Sequence, residues 1–170
     1  IYKIIEFLHV KPGKGPAFVR TKLKSVSTGK VVDNTFTAGH KIDDVRVENR
    51  KYQFLYKDGE TYHFMNSDDY NQIEVDKSQI ESDIFLKKGL IVTIIVNADD
   101  SNILSVEMPQ NVVLEVISSE PGVKGNTATN ATKNAKLETG AEINVPLFIN
   151  EGDKVKVDTE KGVYLERIKQ

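Results

Sequence analysis

Short runs of β-branched and aromatic residues recur along the 170-residue chain, at about ten-residue intervals, between Gly, Asn and Asp turn signals. This pattern is typical of small β-barrels and sandwiches, and it predicts an all-β protein. The predicted strands are 4–10, 17–25, 31–36, 45–56, 61–65, 90–96, 103–106, 112–117, 143–149, 154–157 and 163–168. Asp58-Gly59 joins two of these runs and is a strong hairpin signal.

One segment departs from the strand pattern. Residues 78–88 carry Ile80, Ile84 and Phe85 at helical spacing and are followed by Gly89, which predicts one short helix capped by Ser78. A polar stretch over 121–134 is longer than most connections, so it is either a functional loop or a mobile one.

Three structural units account for this pattern. Pro109 marks the predicted boundary between the second and third units, and we predict units at 1–44, 45–107 and 108–170. The chain begins within a strand pattern, at Ile1-Tyr2-Lys3. The expectation is therefore that the opening strand of the first barrel lies upstream of residue 1.

Charge is distributed unevenly over these units. The net charge is −2. Residues 1–44 hold eight Lys/Arg against four Asp/Glu, whereas residues 45–107 hold seven against twelve and residues 108–170 hold eight against nine. Such polarity would let the first unit approach phosphates while the rest avoids indiscriminate RNA binding.

Several classes of protein are disfavoured by composition. Without cysteine the chain has no disulfide, thiolate nucleophile or cysteine-based zinc site, which is compatible with a reducing cytoplasm. The longest apolar stretch, 90–96, is far too short for a membrane span. We therefore expect no membrane partner, and the compartment has to follow from the function.

Catalytic motifs are missing as well. The three histidines are far apart, no phosphate-binding glycine motif occurs, and the Asp doublets lie beside turn signals. We expect no enzyme activity, no metal and no cofactor, although a spatial cluster of carboxylates stays open on this evidence.

The most informative segment lies between the first two predicted strands and reads as a hairpin tip. It consists of Lys11, Pro12, Gly13, Lys14, Gly15 and Pro16. The glycines allow positive φ or close approach of a partner, and the prolines restrict φ on either side, so Lys14 is presented at the apex. An ordinary loop with a solvated lysine is the structural alternative.

Three further cations follow the tip on alternate positions of one strand. They are Arg20, Lys22 and Lys24, and a strand places such residues on one face. The combination suggests an element that is guided along phosphates and ends in a cation.

These residues resemble a known family. The segment 10–20, Val-Lys-Pro-Gly-Lys-Gly-Pro-Ala-Phe-Val-Arg, resembles the first-domain loop of bacterial elongation factor P. The signature of that family's third domain is matched by Lys133, Ala135, Gly140, Ile143, Val145, Pro146, Ile149 and Gly152. The segments 35–36, 56–60 and 63–66 also resemble the family's sequences, so the resemblance covers essentially the whole chain.

The resemblance implies three β-barrels, one SH3-like and two OB-like, in an elongated L. It implies a translation factor that binds the 70S ribosome between the P and E sites, with ribosomal RNA, P-site peptidyl-tRNA and the E-site region as partners. The family's tip lysine, matched by Lys14, reaches toward the peptidyl-transferase centre and relieves stalling at consecutive prolines. We expect such a factor to act as a monomer.

The state of Lys14 is left open. In many members the tip lysine carries a covalent extension, a β-lysine or a short amino-alcohol, and a lysine-modifying enzyme is then a further partner. Other members act without any extension. Pro16 would stiffen the loop and favour function without one.

The third unit contains the clearest departure from the family pattern. At Lys124, Gly125, Asn126 and Thr127 the family usually has aspartate after the glycine, so RNA contacts there are less certain. Tyr164 and Arg167 are further candidates for RNA contact, because aromatic and cationic side chains suit bases and phosphates. For Tyr164 a half-buried strand position is the alternative.

Three other functions stay in view. An elongation-factor-P-like paralogue would share the three-domain plan, and the eukaryotic counterpart would have only two domains. A general OB-type RNA-binding protein would carry more clustered aromatics and a less acidic chain.

Overall fold

The computed structural model describes residues 1–121 and 131–168, which form thirteen β-strands and two short 3-10 helices. The strands make one three-stranded and two five-stranded sheets, in which every pair of neighbouring strands is antiparallel. The prediction of an all-β protein is confirmed. None of the helices in the described part of the chain has the length and hydropathy that a membrane-spanning helix needs.

The first sheet carries the predicted tip. It contains β1 (Tyr2–Val10), β2 (Phe18–Ser25) and β3 (Val31–Thr37) in the order β1-β2-β3. Gly29 closes the β2–β3 turn with φ +68°, and a Cβ placed there would lie 1.9 Å from Oε1 of Glu81. The backbone conformation therefore favours glycine at that position, whereas the close approach alone would be relieved by a movement of the Glu81 side chain.

The middle sheet surrounds a continuous apolar core. Its strands are β4 (Val47–Asp58), β5 (Thr61–Asn66), β6 (Gln72–Asp76), β7 (Ile91–Asn97) and β8 (Ile103–Glu107), in the order β6-β5-β4-β7-β8. Alternate residues of β5 and β7 face the core, which includes Phe64 and Ile94 at 0 % exposure. The buried hydroxyl of Tyr62 donates to Asp83, and burial together with this carboxylate raises the pKa of Tyr62.

The third sheet has a core of its own. Its strands are β9 (Asn111–Ser119), β10 (Thr132–Leu137), β11 (Glu142–Pro146), β12 (Lys154–Asp158) and β13 (Val163–Ile168), in the order β11-β10-β9-β12-β13. Leu114, Leu137 and Val155 are fully buried in it. Phe85, from the segment between β6 and β7, packs into this core rather than into that of the middle sheet.

The helical segment differs from its prediction. Instead of one helix over 78–88, two separate 3-10 helices form at Lys77–Gln79 and Asp83–Phe85. Asp76, not Ser78, caps the first of them, by accepting from the N–H of Ser78. Between them Ile80 is extended and bridges to Val106, and Ser82 takes the left-handed conformation with φ 61°. Burial of Ile80 against β8 interrupts the helix, because an extended residue cannot continue it.

Two turns of the middle sheet, 66–71 and 97–102, share the sequence Asn-x-Asp-Asp-x-Asn and the same hydrogen bonds. In each, the N–H of the first asparagine donates to the carbonyl of the last, at 2.8 and 2.9 Å. The fifth residue of each has a positive φ, 61° and 56°. The second residue of each donates to the backbone of a neighbouring segment: Ser67 to the carbonyl of Lys51 in β4, and Ala98 to that of Arg46, which immediately precedes β4.

Candidate functional site

The tip loop joins β1 to β2 at one end of the first sheet. Val10 and Phe18 form the last pair of the ladder, and the residues from Lys11 to Pro16 are all exposed. No hydrogen bond or ion pair of the Lys14 side chain occurs within the described ranges. Its ammonium is therefore free to contact a partner.

Glycine shapes the apex of this loop. Gly15 has φ +105°, a conformation that L residues rarely adopt. A Cβ placed on Gly13 or Gly15 would meet nothing within 4 Å. The glycines thus provide the turn and leave open space on both sides of Lys14, so that a bulky partner can approach the backbone closely.

The cations below the tip share one face of β2, but they differ in their surroundings. Lys22 forms an ion pair with Glu6 at 2.9 Å. The hydrogen bond with Glu6, and the negative charges of Glu6 and Asp33, raise the pKa of Lys22. The Arg20 guanidinium lies 5.6 Å from the centre of the Phe18 ring, and Lys24 is half-buried. Much of the charge of Lys22 is therefore balanced locally, and of these three strand cations the exposed Arg20 is nearest the tip in sequence.

An aromatic pair at the same end of the sheet was missed by sequence reasoning. The N–H of Ala38 donates to the carbonyl of Ala17, which fixes the segment after β3 to the base of the tip loop. In that segment His40 is exposed and stacks on Phe36, with ring centres 5.4 Å apart. The sequence pattern says of the histidines only that they are too far apart for a metal or catalytic motif. No local pattern marks the Phe36–His40 stack.

Of the residues predicted to contact RNA in the third unit, the structure describes only some. Lys124, Gly125, Asn126 and Thr127 lie outside the described residues.

The other two candidates lie on β13. Tyr164 is half-buried and packs against the third core. Arg167 is exposed, with its guanidinium 5.4 Å from the centre of the Phe148 ring and Nη1 3.7 Å from Oδ2 of Asp153. Arg167 and Phe148 thus offer a cation and an aromatic face to solvent.

Within the described ranges, no group of three His, Cys, Asp or Glu side chains is placed to hold a metal ion. Two of the Asp doublets close turns: Asp69 accepts from the N–H of Asn71, and Asp100 from that of Asn102. The turn interpretation of these carboxylates is therefore supported.

Comparison with protein-family models covers most of the chain in three pieces. Residues 1–42 match the elongation factor P KOW-like domain, and residues 47–106 match the elongation factor P OB domain. Residues 112–167 match the C-terminal domain of elongation factor P. Each model falls on one of the three sheets.

Individual relatives agree with the family models. Elongation factor P of Christiangramia forsetii is 66% identical over 170 residues, which is 100% of this chain and 90% of that protein. Elongation factor P of Flavobacterium psychrophilum is 64% identical over 169 residues, 99% of this chain and 90% of that protein. A solved structure of eukaryotic translation initiation factor 5A from Methanococcus jannaschii aligns with a TM-score of 0.48 and 23% identity, over 62% of this chain and 78% of that one. The chain belongs to the elongation factor P family, whose members are translation factors and not enzymes.

Proposed function

We propose that this protein binds the 70S ribosome between the P and E sites and stimulates peptide-bond formation at consecutive prolines by presenting Lys14 to the peptidyl-transferase centre. Membership in a family of translation factors gives the association with the ribosome. The observation that carries the finer proposal is the tip itself, in which Lys14 stands between two glycines with open space around it.

The shape of the first sheet suits this role. β1 has nine residues, and at about 3.3 Å per residue the β1–β2 hairpin extends roughly 30 Å. The ladder between these strands runs from Tyr2 and Ser25 to Val10 and Phe18. A long hairpin of this kind can enter a narrow channel and carry a single cation at its end.

The gain in rate would come from positioning. Proline has a fixed φ and no N–H, so consecutive prolines disfavour a productive arrangement of the reacting groups. A cation and backbone donors at the tip would hold the CCA end of the peptidyl-tRNA in a near-attack geometry without taking part in covalent chemistry. The ribosome remains the catalyst.

The rest of the molecule would hold the tip in place. We assign the three units to 1–44, 45–107 and 108–170, acting as a monomer in the cytoplasm, where ribosomes are. Arg20 and Lys24 on the first sheet, and Arg167 on the third, would contact RNA phosphates. No metal or other cofactor takes part in this mechanism.

A covalent extension of Lys14 is compatible with the open space at the apex. If the active form carries one, the intact mass of protein from its native host will exceed that of the recombinant chain, and only the heavier form will be fully active. Full activity of an unshifted mass would show instead that the Pro16-stiffened loop acts unmodified.

The decisive test is reconstituted translation of a reporter with three consecutive prolines, with a proline-free reporter beside it. The factor should restore synthesis of the proline reporter only, and Lys14→Ala should abolish this rescue. Lys30→Ala is the matched control, because Lys30 is an exposed lysine at the opposite end of the same sheet.

Two results would contradict the proposal. The first is an absence of rescue with protein purified from its native host, which retains any modification. The second is an equal loss of rescue in Lys14→Ala and Lys30→Ala, which would mean that Lys14 acts only as one surface charge among others.

A further inference from the structure

A lysine occupies a core position of the third sheet. Buried residues alternate along β10, where Ala135 and Leu137 face the core, and Lys133 continues that alternation at 9% exposure. A strand places every second side chain on the same face, so the stem of Lys133 lies on the apolar side of β10.

The ammonium of Lys133 has little compensation from the protein. Nζ lies 3.2 Å from Oγ of Ser119. Within the described ranges no carboxylate lies within 4 Å of it, and residues 122–130, 169 and 170 include no Asp or Glu. An ammonium has three donors, and a buried charge without a counter-charge is costly, so the remaining donors favour an anion.

Lys133 also lines an open cavity of about 690 Å³. Ser119, Lys133, Phe148 and Asn150 are among the residues that line it. The Phe148 ring is 57% exposed, with the Arg167 guanidinium 5.4 Å from its centre. The cavity thus combines a buried cation, a hydroxyl and an aromatic surface.

We propose that this cavity, beside β9 and β10 of the third sheet, binds one phosphate of an RNA backbone, with Lys133 Nζ as the anion contact. The neighbouring base would stack on Phe148 and Arg167, as exposed aromatic and guanidinium planes allow. The assignment rests on the proposed function, because association with the ribosome supplies RNA as the partner.

Two carboxylates limit what the cavity accepts. Glu120 and Glu151 also line it, and both are exposed at its rim. Their charge weakens the attraction for a free anion, so RNA binding depends on the stacked base as well as on the phosphate. The same rim repels an acidic peptide, which has no base to stack.

The test compares two lysines of the same strand in the full chain. Lys133→Met removes the buried cation, and Lys136→Met removes an exposed one on the opposite face of β10. Binding of a single-stranded RNA decamer is measured by fluorescence anisotropy at several salt concentrations.

In Lys133→Met the affinity should fall about tenfold, the size expected for one hydrogen bond to a charged group. The dependence of log K on log salt should flatten by about 0.7, which corresponds to one phosphate contact on a single strand. Lys136→Met should stay within about twofold of the unchanged protein. Equal affinity and slope for both variants would overturn the proposal.

A second part of the test removes a carboxylate from the rim of the cavity and compares RNA with an acidic peptide. Glu151→Gln should tighten RNA binding by about twofold to threefold, since it removes a repulsive surface charge. In the unchanged protein, RNA should shift the amide signals of Ser119 and Lys133, a readout that needs no variant. If polyglutamate shifts the same signals equally, or if RNA leaves them in place, the assignment to RNA phosphate is overturned.

The outcome is separable from that of the proposed function. Lys14→Ala should bind the decamer like the unchanged protein while losing the rescue of proline synthesis. If the unchanged protein fails to rescue proline synthesis but binds RNA through Lys133, only the proposed role of the tip is contradicted. If the unchanged protein rescues proline synthesis but Lys133→Met does not change RNA binding, only the proposed phosphate site is contradicted.

Discussion

The first sheet and the other two are built differently. In β1, β2 and β3 Thr21 is the only buried residue, and its hydroxyl donates to the carbonyl of Asn34. The middle and third sheets enclose two apolar cores, each with several side chains at 0% exposure. Large apolar side chains on the strands of the first sheet stay exposed: Tyr2, Ile4, Ile5, Phe7, Leu8, Val31 and Val32.

Apolar burial is therefore unequal between the three sheets of the described residues. Burial of apolar surface supplies most of the folding free energy, so that energy is concentrated in the middle and third sheets. The first sheet is held chiefly by its backbone ladders, in which β1 and β3 both pair with β2.

The largest expected effect is in the middle core. Phe64→Ala removes a side chain with 0% exposure and should lower the free energy of unfolding by about 4 kcal/mol, through lost burial and the cavity left behind. Phe7→Ala, on β1, removes a side chain that is 73% exposed, and should cost less than about 1 kcal/mol. Urea denaturation followed by circular dichroism measures both values.

Similar losses of unfolding free energy for Phe64→Ala and Phe7→Ala would contradict the comparison, because they would mean that Phe7 is buried in a core as stabilising as that of the middle sheet. Ile91→Ala serves as a control in the middle sheet, since Ile91 is 43% exposed on a strand whose next residue is buried.

A smaller effect is expected where the two cores meet. Phe85 lies between β6 and β7 of the middle sheet in sequence but packs into the third core, where a Cβ placed on Gly162 would lie 3.6 Å from its Cζ. Phe85→Ala should cost about 3 kcal/mol and separate the unfolding of the third sheet from that of the middle one. Calorimetry should show one transition for the unchanged protein and two for this variant.

Ile84→Ala is the matched control for that experiment, because the neighbouring Ile84 side chain is 50% exposed. A single, uniformly lowered transition in Phe85→Ala would mean that other contacts suffice to couple the two cores.

The smallest effect concerns an ion pair between the same two sheets. Lys87, which precedes β7, donates to Oε1 of Glu138 at 2.9 Å, and the N–H of Glu115 donates to the same oxygen at 3.0 Å. Burial alone would raise the pKa of Glu138. The hydrogen bonds from Lys87 and Glu115, with the charges of Lys87 and Lys154, outweigh it and lower that pKa below its ordinary 4.5.

A carboxyl group whose pKa is lowered by folding stabilises the protein above its ordinary pKa, and this contribution is lost as pH falls through the folded pKa. The advantage of the unchanged protein over Glu138→Gln should be less than about 1 kcal/mol at pH 7, should decline as pH falls below 4.5, and should vanish below the folded pKa. Urea denaturation between pH 7 and pH 3 measures it, with Glu142→Gln, an exposed carboxylate on β11, as the control. An advantage that grows on acidification would contradict the assigned sign.

Local sequence signals predicted the elements that depend on local chemistry. Asp58-Gly59 predicted the hairpin between β4 and β5, and alternation predicted strands close to β1, β2 and β3. The glycines around Lys14 predicted the exposed tip loop that the structure contains.

Elements that depend on distant partners were missed. Strand β6 is a short edge strand, and β10 contains two lysines and an asparagine, so neither has the composition expected of a strand. The placement of Phe85 in the third core and of Lys133 at a buried position depends on contacts distant in sequence, which no window around either residue records.

The paired turns of the middle sheet lead to a consequence for engineering. The turns 66–71 and 97–102 close with matching internal hydrogen bonds, and each makes one backbone bond to the chain at or just before β4, so the two six-residue turns are structurally equivalent. Exchanging one turn for the other should leave the fold intact. An Asn-x-Asp-Asp-x-Asn insert is therefore a portable connector for designed antiparallel sheets.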